Sequence, residues 1–169
     1  QFHSGKQAGF IRKKYRTIRR KLGQAKKVKA IKNINDKEQR WMTDLNHKIS
    51  RQLINLAVQE QVGTIVMENL KNIRNTAQSI NKADRNLDSW AFYQLQQFID
   101  YKAKMAGIKV EYINPKYTSQ RCSKCGKVKK SNRNGNLYSC SCGNHIHSDL
   151  NAARNIADKF LHTLEQQSA

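Results

Sequence analysis

Cys122, Cys125, Cys140 and Cys142 are the only cysteines of the chain, and they lie in the stretch YTSQRCSKCGKVKKSNRNGNLYSCSCGNHIHSDLNAARNI, from Tyr117 to Ile156. The first pair is a CxxC and the second a tighter CxC. Each pair is followed by glycine, Gly126 and Gly143, which lets the backbone turn back toward a bound ion. Four thiolates presented by two short knuckles suit tetrahedral Zn²⁺. Such a shell is closed, so the expected zinc is structural and not catalytic. Two disulfides are the competing reading; with no secretory leader read at the start of the chain, zinc is expected instead. His145 and His147 lie close enough in sequence to replace a sulfur. With four cysteines filling the shell they are expected to stay outside it.

The elements around this stretch carry an excess of positive charge. The 169 residues hold 32 Lys and Arg against 12 Asp and Glu, a net charge of +20. That length gives one domain, or a domain with a small appendage. A strongly basic chain with a zinc knuckle points to a polyanion, hence DNA or RNA, as partner. No apolar run has the length of a membrane span, so no membrane partner is expected. With no targeting segment read, the expected location is the cytoplasm.

The positive charge is most one-sided at the front, where no acidic residue precedes Asp36. Ile11, Tyr15, Ile18 and Leu22 recur at helical spacing, with basic residues around them. Arg12, Lys13, Arg16, Arg19, Arg20, Lys26 and Lys27 are the candidates for contact with nucleic-acid phosphates. Gly23 is expected to end or loosen this helix. A second helix is expected from a capping box at Asn35 and Glu38, with an apolar stripe of Trp41, Leu45, Ile49, Leu53, Leu56 and Val58 and a stop at Gly63. Thr64–Met67 reads as a short buried strand, parallel to a neighbour because helices flank it. Glu68 stands at its C-terminal end, the edge where open α/β sheets place ligands. Residues 71–85 read as a polar loop.

Asp88 or Ser89 is expected to cap a helix bearing Trp90, Tyr93, Leu95, Phe98, Ile99 and Met105 and ending at Gly107. The alternation over 108–113 predicts a second strand, ended by Pro115. The last helix starts near Asp149 and is expected to bury Leu150, Ala153, Ile156, Ala157, Phe160 and Leu164. Two strands are too few for a stable sheet. The expectation is that an N-terminal portion, or a second copy of the chain, completes it.

The pieces DLNHKISRQL (44–53), IVMENLKNIR (65–74), YTSQRCSKCG (117–126) and YSCSCGNHIHSDLNAARNI (138–156) occur in this order. Together they resemble the C-terminal half of the TnpB (OrfB) proteins of the IS200/IS605 transposons, relatives of Cas12 effectors. The resemblance implies a transposon-encoded, RNA-guided DNA endonuclease of transposase type that uses DNA and a guide RNA. The implied fold class is α/β: a partial RNase H-like (RuvC) domain over 36–116 and 144–169, a zinc-ribbon insert over 117–143, and a basic helical segment over 1–35. It also implies two catalytic carboxylates that hold Mg²⁺: Glu68, matching the second motif, and Asp149, matching the third. His147 stands where many members have another Asp. The first-motif Asp, with its strand and the guide-recognising region, is expected upstream of Gln1; Asp36 and Asp44 lie in helical sequence and do not replace it. A non-enzymatic basic zinc-ribbon protein that binds DNA or RNA, as a regulator or within an RNA assembly, is the alternative reading, and in it Glu68 and Asp149 would be dispensable.

Overall fold

The computed structural model describes residues 6–69 and 82–167. The chain divides into two compact units, Gln1–Val62 with Ile80–Gly107 and Gly63–Ser79 with Ile108–Ala169.

The first unit is helical. It contains α1 (Lys6–Gln24), α2 (Val28–Gln59) and α3 (Lys82–Met105), and α2 packs against both of the others. The predicted apolar stripe of α1, Ile11, Tyr15, Ile18 and Leu22, is half-buried. The expected helix start at Asn35 and Glu38 is not where the helix begins. Both lie inside α2, which starts at Val28, after a turn in which Lys26 takes a left-handed φ of 54°. Glu38 is instead buried and ion-paired with Arg19 of α1. Nor do Gly23 and Gly63 stop their helices: α1 runs past Gly23 to Gln24, and after α2 it is Gln61 that turns left-handed, at φ 53°.

Polar groups tie α2 to α3. The deepest stripe on α2 is Met42, Asn46, Ser50, Ile54 and Ala57, while Val58 is exposed. Asn46 Nδ2 donates to Gln94 Oε1 (3.0 Å), and Gln94 Nε2 donates to Thr43 Oγ1 (3.1 Å). Lys102, buried on α3, donates to His47 O (2.9 Å) and Ser50 Oγ. Burial, and then the nearby Arg51 charge, lower its pKa from 10.5. His47 stacks on Phe98 with centroids 3.9 Å apart. Of the expected loop, residues 71–81 lie outside the described residues and 82–85 are helical, so α3 starts earlier than Asp88. Ile99 is buried in this helix, but Met105 at its end is exposed. Gly107 ends the turn after α3 with φ 71°, a conformation that glycine takes without a Cβ penalty.

The second unit pairs β1 (Thr64–Glu68) with β2 (Lys109–Ile113) in parallel, Glu68 opposite Ile113. A small antiparallel sheet follows, in the order β3 (Arg133–Asn134), β4 (Leu137–Ser139), β5 (His145–His147). The last helix, α4 (Ser148–Gln167), packs on β1, β2, β4 and β5. Its deepest face is polar: Ser148, Asn151 and Asn155 are buried. Leu150, Ile156 and Phe160 are half-buried, whereas Ala153, Ala157 and Leu164 are exposed. The apolar period found a face of this helix, but asparagines hold the deepest positions because they have backbone carbonyls to serve. No helix among the described residues is long and apolar enough to cross a membrane.

Candidate metal centre

Two hairpin knuckles bring the cysteines together. In the first, Cys122 N donates to Lys127 O (2.9 Å) and Gly126 N to Cys122 O (2.9 Å). In the second, Cys140 N donates to Asn144 O and Gly143 N to Cys140 O, both at 3.0 Å. Gly126 and Gly143 have φ of 76° and 81°, so both turns use the left-handed backbone that the sequence suggested. The shorter CxC closes as well as the CxxC.

The four Sγ atoms lie within 4.8 Å of one another, and the cysteines are free. Cys122 and Cys142 sulfurs are 3.6 Å apart, and Cys125 and Cys140 sulfurs 3.8 Å. Those separations are far too long for a disulfide, in which the sulfurs sit about 2.0 Å apart. They match a tetrahedron of thiolates around Zn²⁺, where a metal–sulfur distance of about 2.3 Å places sulfurs about 3.8 Å apart. The donor set therefore fits a single metal ion. Burial works against the Cys122 thiolate, but the backbone N–H groups of Cys125 and Lys124 and the Asn144 amide outweigh it and lower its pKa to about 6. Burial pushes Cys142 in the other direction, to about 12, and the N–H of Cys142 helps lower Cys140. Tyr138, fully buried behind the cysteines, donates its hydroxyl to Gln120 O (3.0 Å).

Helix α4 holds the segment that leads into the first knuckle. Asn151 Nδ2 donates to Arg121 O (2.7 Å), and its Oδ1 accepts from Ser123 N (3.0 Å) and from Asn144 Nδ2 (3.4 Å). One turn on, Asn155 Nδ2 donates to Thr118 O (2.8 Å) and Arg121 O (2.7 Å). A further turn on, Lys159 Nζ donates to Asn114 O (3.0 Å) and Lys116 O (2.6 Å). Arg121 adds an ion pair to Asp158 at 2.6 Å. Residues at i, i+4 and i+8 share a helix face, so this is one row of donors laid along one strip of carbonyls. Sequence reading missed Asn144, Asn151, Asn155 and Thr118. The available signal was DLNAARNI itself: asparagine is a poor helix former, and two spaced four apart invite a packing explanation.

The carboxylates have separate surroundings. Glu68 ends β1 half-buried, and its Oε1 accepts a hydrogen bond from the buried Thr118 hydroxyl. Asp149 is exposed in the first turn of α4; its Oδ1 is 3.6 Å from Arg133 Nη2 and its Oδ2 is 3.8 Å from His147 Nδ1. The Asp149 N–H donates to His147 Nδ1 (3.2 Å), and His145 Nδ1 lies 3.2 Å from Ser139 Oγ. Among the described residues, the four cysteines are the one group of three or more ligand-type side chains whose donor atoms converge. Of the basic candidates in the helical unit, Lys13, Arg16 and Arg20 are exposed on α1, with Arg12 half-buried, and Lys26 and Lys27 are exposed in the turn that follows. Arg19 faces inward, toward Glu38.

The chain is TnpB-like and Cas12-related. Within that group, the family model described as Cas12f1-like, TNB domain, matches residues 92–156. The CRISPR-associated endodeoxyribonuclease Cas12f1 of Sulfoacidibacillus thermotolerans is 45% identical over 137 residues, covering 80% of this chain and 31% of that protein. The TnpB-like protein MJ0751 of Methanocaldococcus jannaschii is 37% identical over 153 residues, covering 87% of this chain and 54% of that one. In the cryo-EM structure of a Cas12f1–sgRNA–target DNA complex, a protein chain superposes with a TM-score of 0.71 at 25% identity, covering 92% of this chain and 44% of its own length. The chain thus spans 31% of the first of these relatives and 54% of the second.

Proposed function

We propose that the chain is the C-terminal nuclease part of an RNA-guided DNA endonuclease of transposon type. Residues 36–116 and 144–169 are read as part of an RNase H-like (RuvC) domain interrupted by a zinc ribbon over 117–143, and residues 1–35 as a basic helical segment. In this reading Cys122, Cys125, Cys140 and Cys142 hold a structural Zn²⁺, and Glu68 and Asp149 are the Mg²⁺-binding carboxylates. Guide RNA and target DNA are the partners, the cytoplasm is the location, and upstream strands or a second copy complete the sheet beside β1.

The observation that carries the reading is the placement of Glu68. It ends the first of two parallel strands, next to the turn that leads into the metal knuckles. Carboxylate oxygens are the hard donors that Mg²⁺ prefers, and it retains several waters when few protein ligands are supplied. When bound, such ions supply an activated water and stabilise the leaving oxygen of a phosphodiester. The chain's own part is to fix the two carboxylates: Glu68 through its strand and Thr118, Asp149 through the first turn of α4. Exposed Lys13, Arg20, Lys26 and Lys27 attract the polyanion.

Joined to the upstream strands that carry the family's first acid, the chain is expected to cleave DNA in a Mg²⁺-dependent manner. Glu68→Gln and Asp149→Asn, which keep size and remove charge, should each abolish cleavage. Undiminished cleavage by either variant would overturn the assignment.

A further inference from the structure

Thr118 is 3% exposed, and its hydroxyl has one proton to give and two acceptors in reach. One is Glu68 Oε1; the other is Pro115 O, at 2.9 Å. A charged acceptor draws the stronger hydrogen bond, so the proton is committed to the carboxylate. The turn that carries Thr118 is fixed from several sides. Thr118 N and Arg121 N close it on Pro115 O (3.3 Å) and Tyr117 O (2.9 Å), with Tyr117 at φ 67°. Asn155, 1% exposed, holds the carbonyls of both Thr118 and Arg121. Lys159 holds the carbonyls of Asn114 and Lys116 just before it. The same turn runs directly into Cys122.

We propose that Thr118 is a positioning residue for Glu68, presented by the turn that Asn155 anchors on α4. Fixing Oε1 sets the direction of Oε2, which is what a carboxylate must have settled before it meets a hydrated ion. Partners of this kind orient metal-binding carboxylates and are costly to lose. The proposal rests on the reading of Glu68 as a Mg²⁺ carboxylate.

The test uses the zinc-loaded chain with ¹³C-labelled glutamate carboxyls, the Glu68 signal being identified by its loss in Glu68→Gln. Thr118→Val keeps the shape and removes the hydroxyl. It is expected to shift the Glu68 signal and to weaken that signal's response to Mg²⁺ about tenfold. Thr118→Ser keeps the hydroxyl and is expected to restore both, which a merely structural role would not do. Asn155→Ala leaves the hydroxyl but loosens its turn, and should shift the signal in the same sense as Thr118→Val. An unmoved Glu68 signal in Thr118→Val, or a Thr118→Ser variant that behaves like valine, overturns the proposal. A signal that moves with Thr118→Val but never responds to Mg²⁺ in the unsubstituted chain, alone or joined to the upstream strands, keeps Thr118 as the residue that orients Glu68 and overturns the nuclease reading instead.

Discussion

Asn151→Ala should loosen the metal centre although Asn151 is not a ligand. The side chain is fully buried, and it satisfies both a carbonyl and an N–H of the first knuckle. Arg121 O keeps a partner after the substitution, because Asn155 also donates to it. Ser123 N–H, next to Cys122, loses the acceptor that the structure gives it. Losing that hydrogen bond at a half-buried N–H costs about 1 kcal/mol. Because knuckles of this kind fold with their metal, that cost falls on metal affinity, as a loss of roughly fivefold. Competition for Zn²⁺ against a chromophoric chelator measures it directly. Ala153→Ser, on the exposed side of the same helix, is the control and should bind as the unsubstituted chain does. Unchanged zinc affinity in Asn151→Ala would refute the idea that α4 holds the knuckle in shape.

Other perturbations separate roles that the net charge alone merges. Arg19→Met strands the buried Glu38 and should destabilise the helical unit by about 3 kcal/mol in chemical unfolding, while the double substitution with Glu38→Met recovers most of that loss. In DNA binding, Lys13→Gln with Arg20→Gln should reduce the salt slope by about two, one for each phosphate no longer neutralised; an unchanged slope would remove α1 from the interface. Lys102 has a folded-state pKa below that of the unfolded chain, so the unfolded chain binds more protons between the two values, and its contribution to stability rises with pH through the lowered value and levels off above 10.5. Unfolding curves should therefore show a rise below pH 10.5 that Lys102→Met removes; the same rise in that variant would assign the effect elsewhere.

Local signals carried much of this fold. Paired cysteines followed by glycine foretold the two knuckles, since the turn and its ligands lie within a few residues. The β1–β2 pair was also legible, as was the stop at Gly107. What failed depended on partners distant in sequence. Glu38 has the spacing of a capping box, yet Arg19, in the helix before it, claims its carboxylate. Asn46 and Ser50 lie outside the apolar stripe expected for α2, yet they are among its most buried residues, because Gln94 and Lys102 meet them from α3. Asn151 and Asn155 were passed over in favour of Ala153, Ala157 and Leu164. Periodicity ranks residues by apolarity, whereas this helix covers a strip of carbonyls and needs donors. Thr118 had no sequence signal, since its role depends on Glu68, 50 positions earlier.

The claim at the centre of this account is that Glu68 and Asp149 serve one divalent-cation site. Paramagnetic broadening by Mn²⁺, read at the two side-chain carboxyl signals of this chain, tests it most directly. Both signals should broaden over the same range of added Mn²⁺ and recover together when Mg²⁺ is added in excess. Broadening of one carboxylate without the other, or of neither, would contradict it.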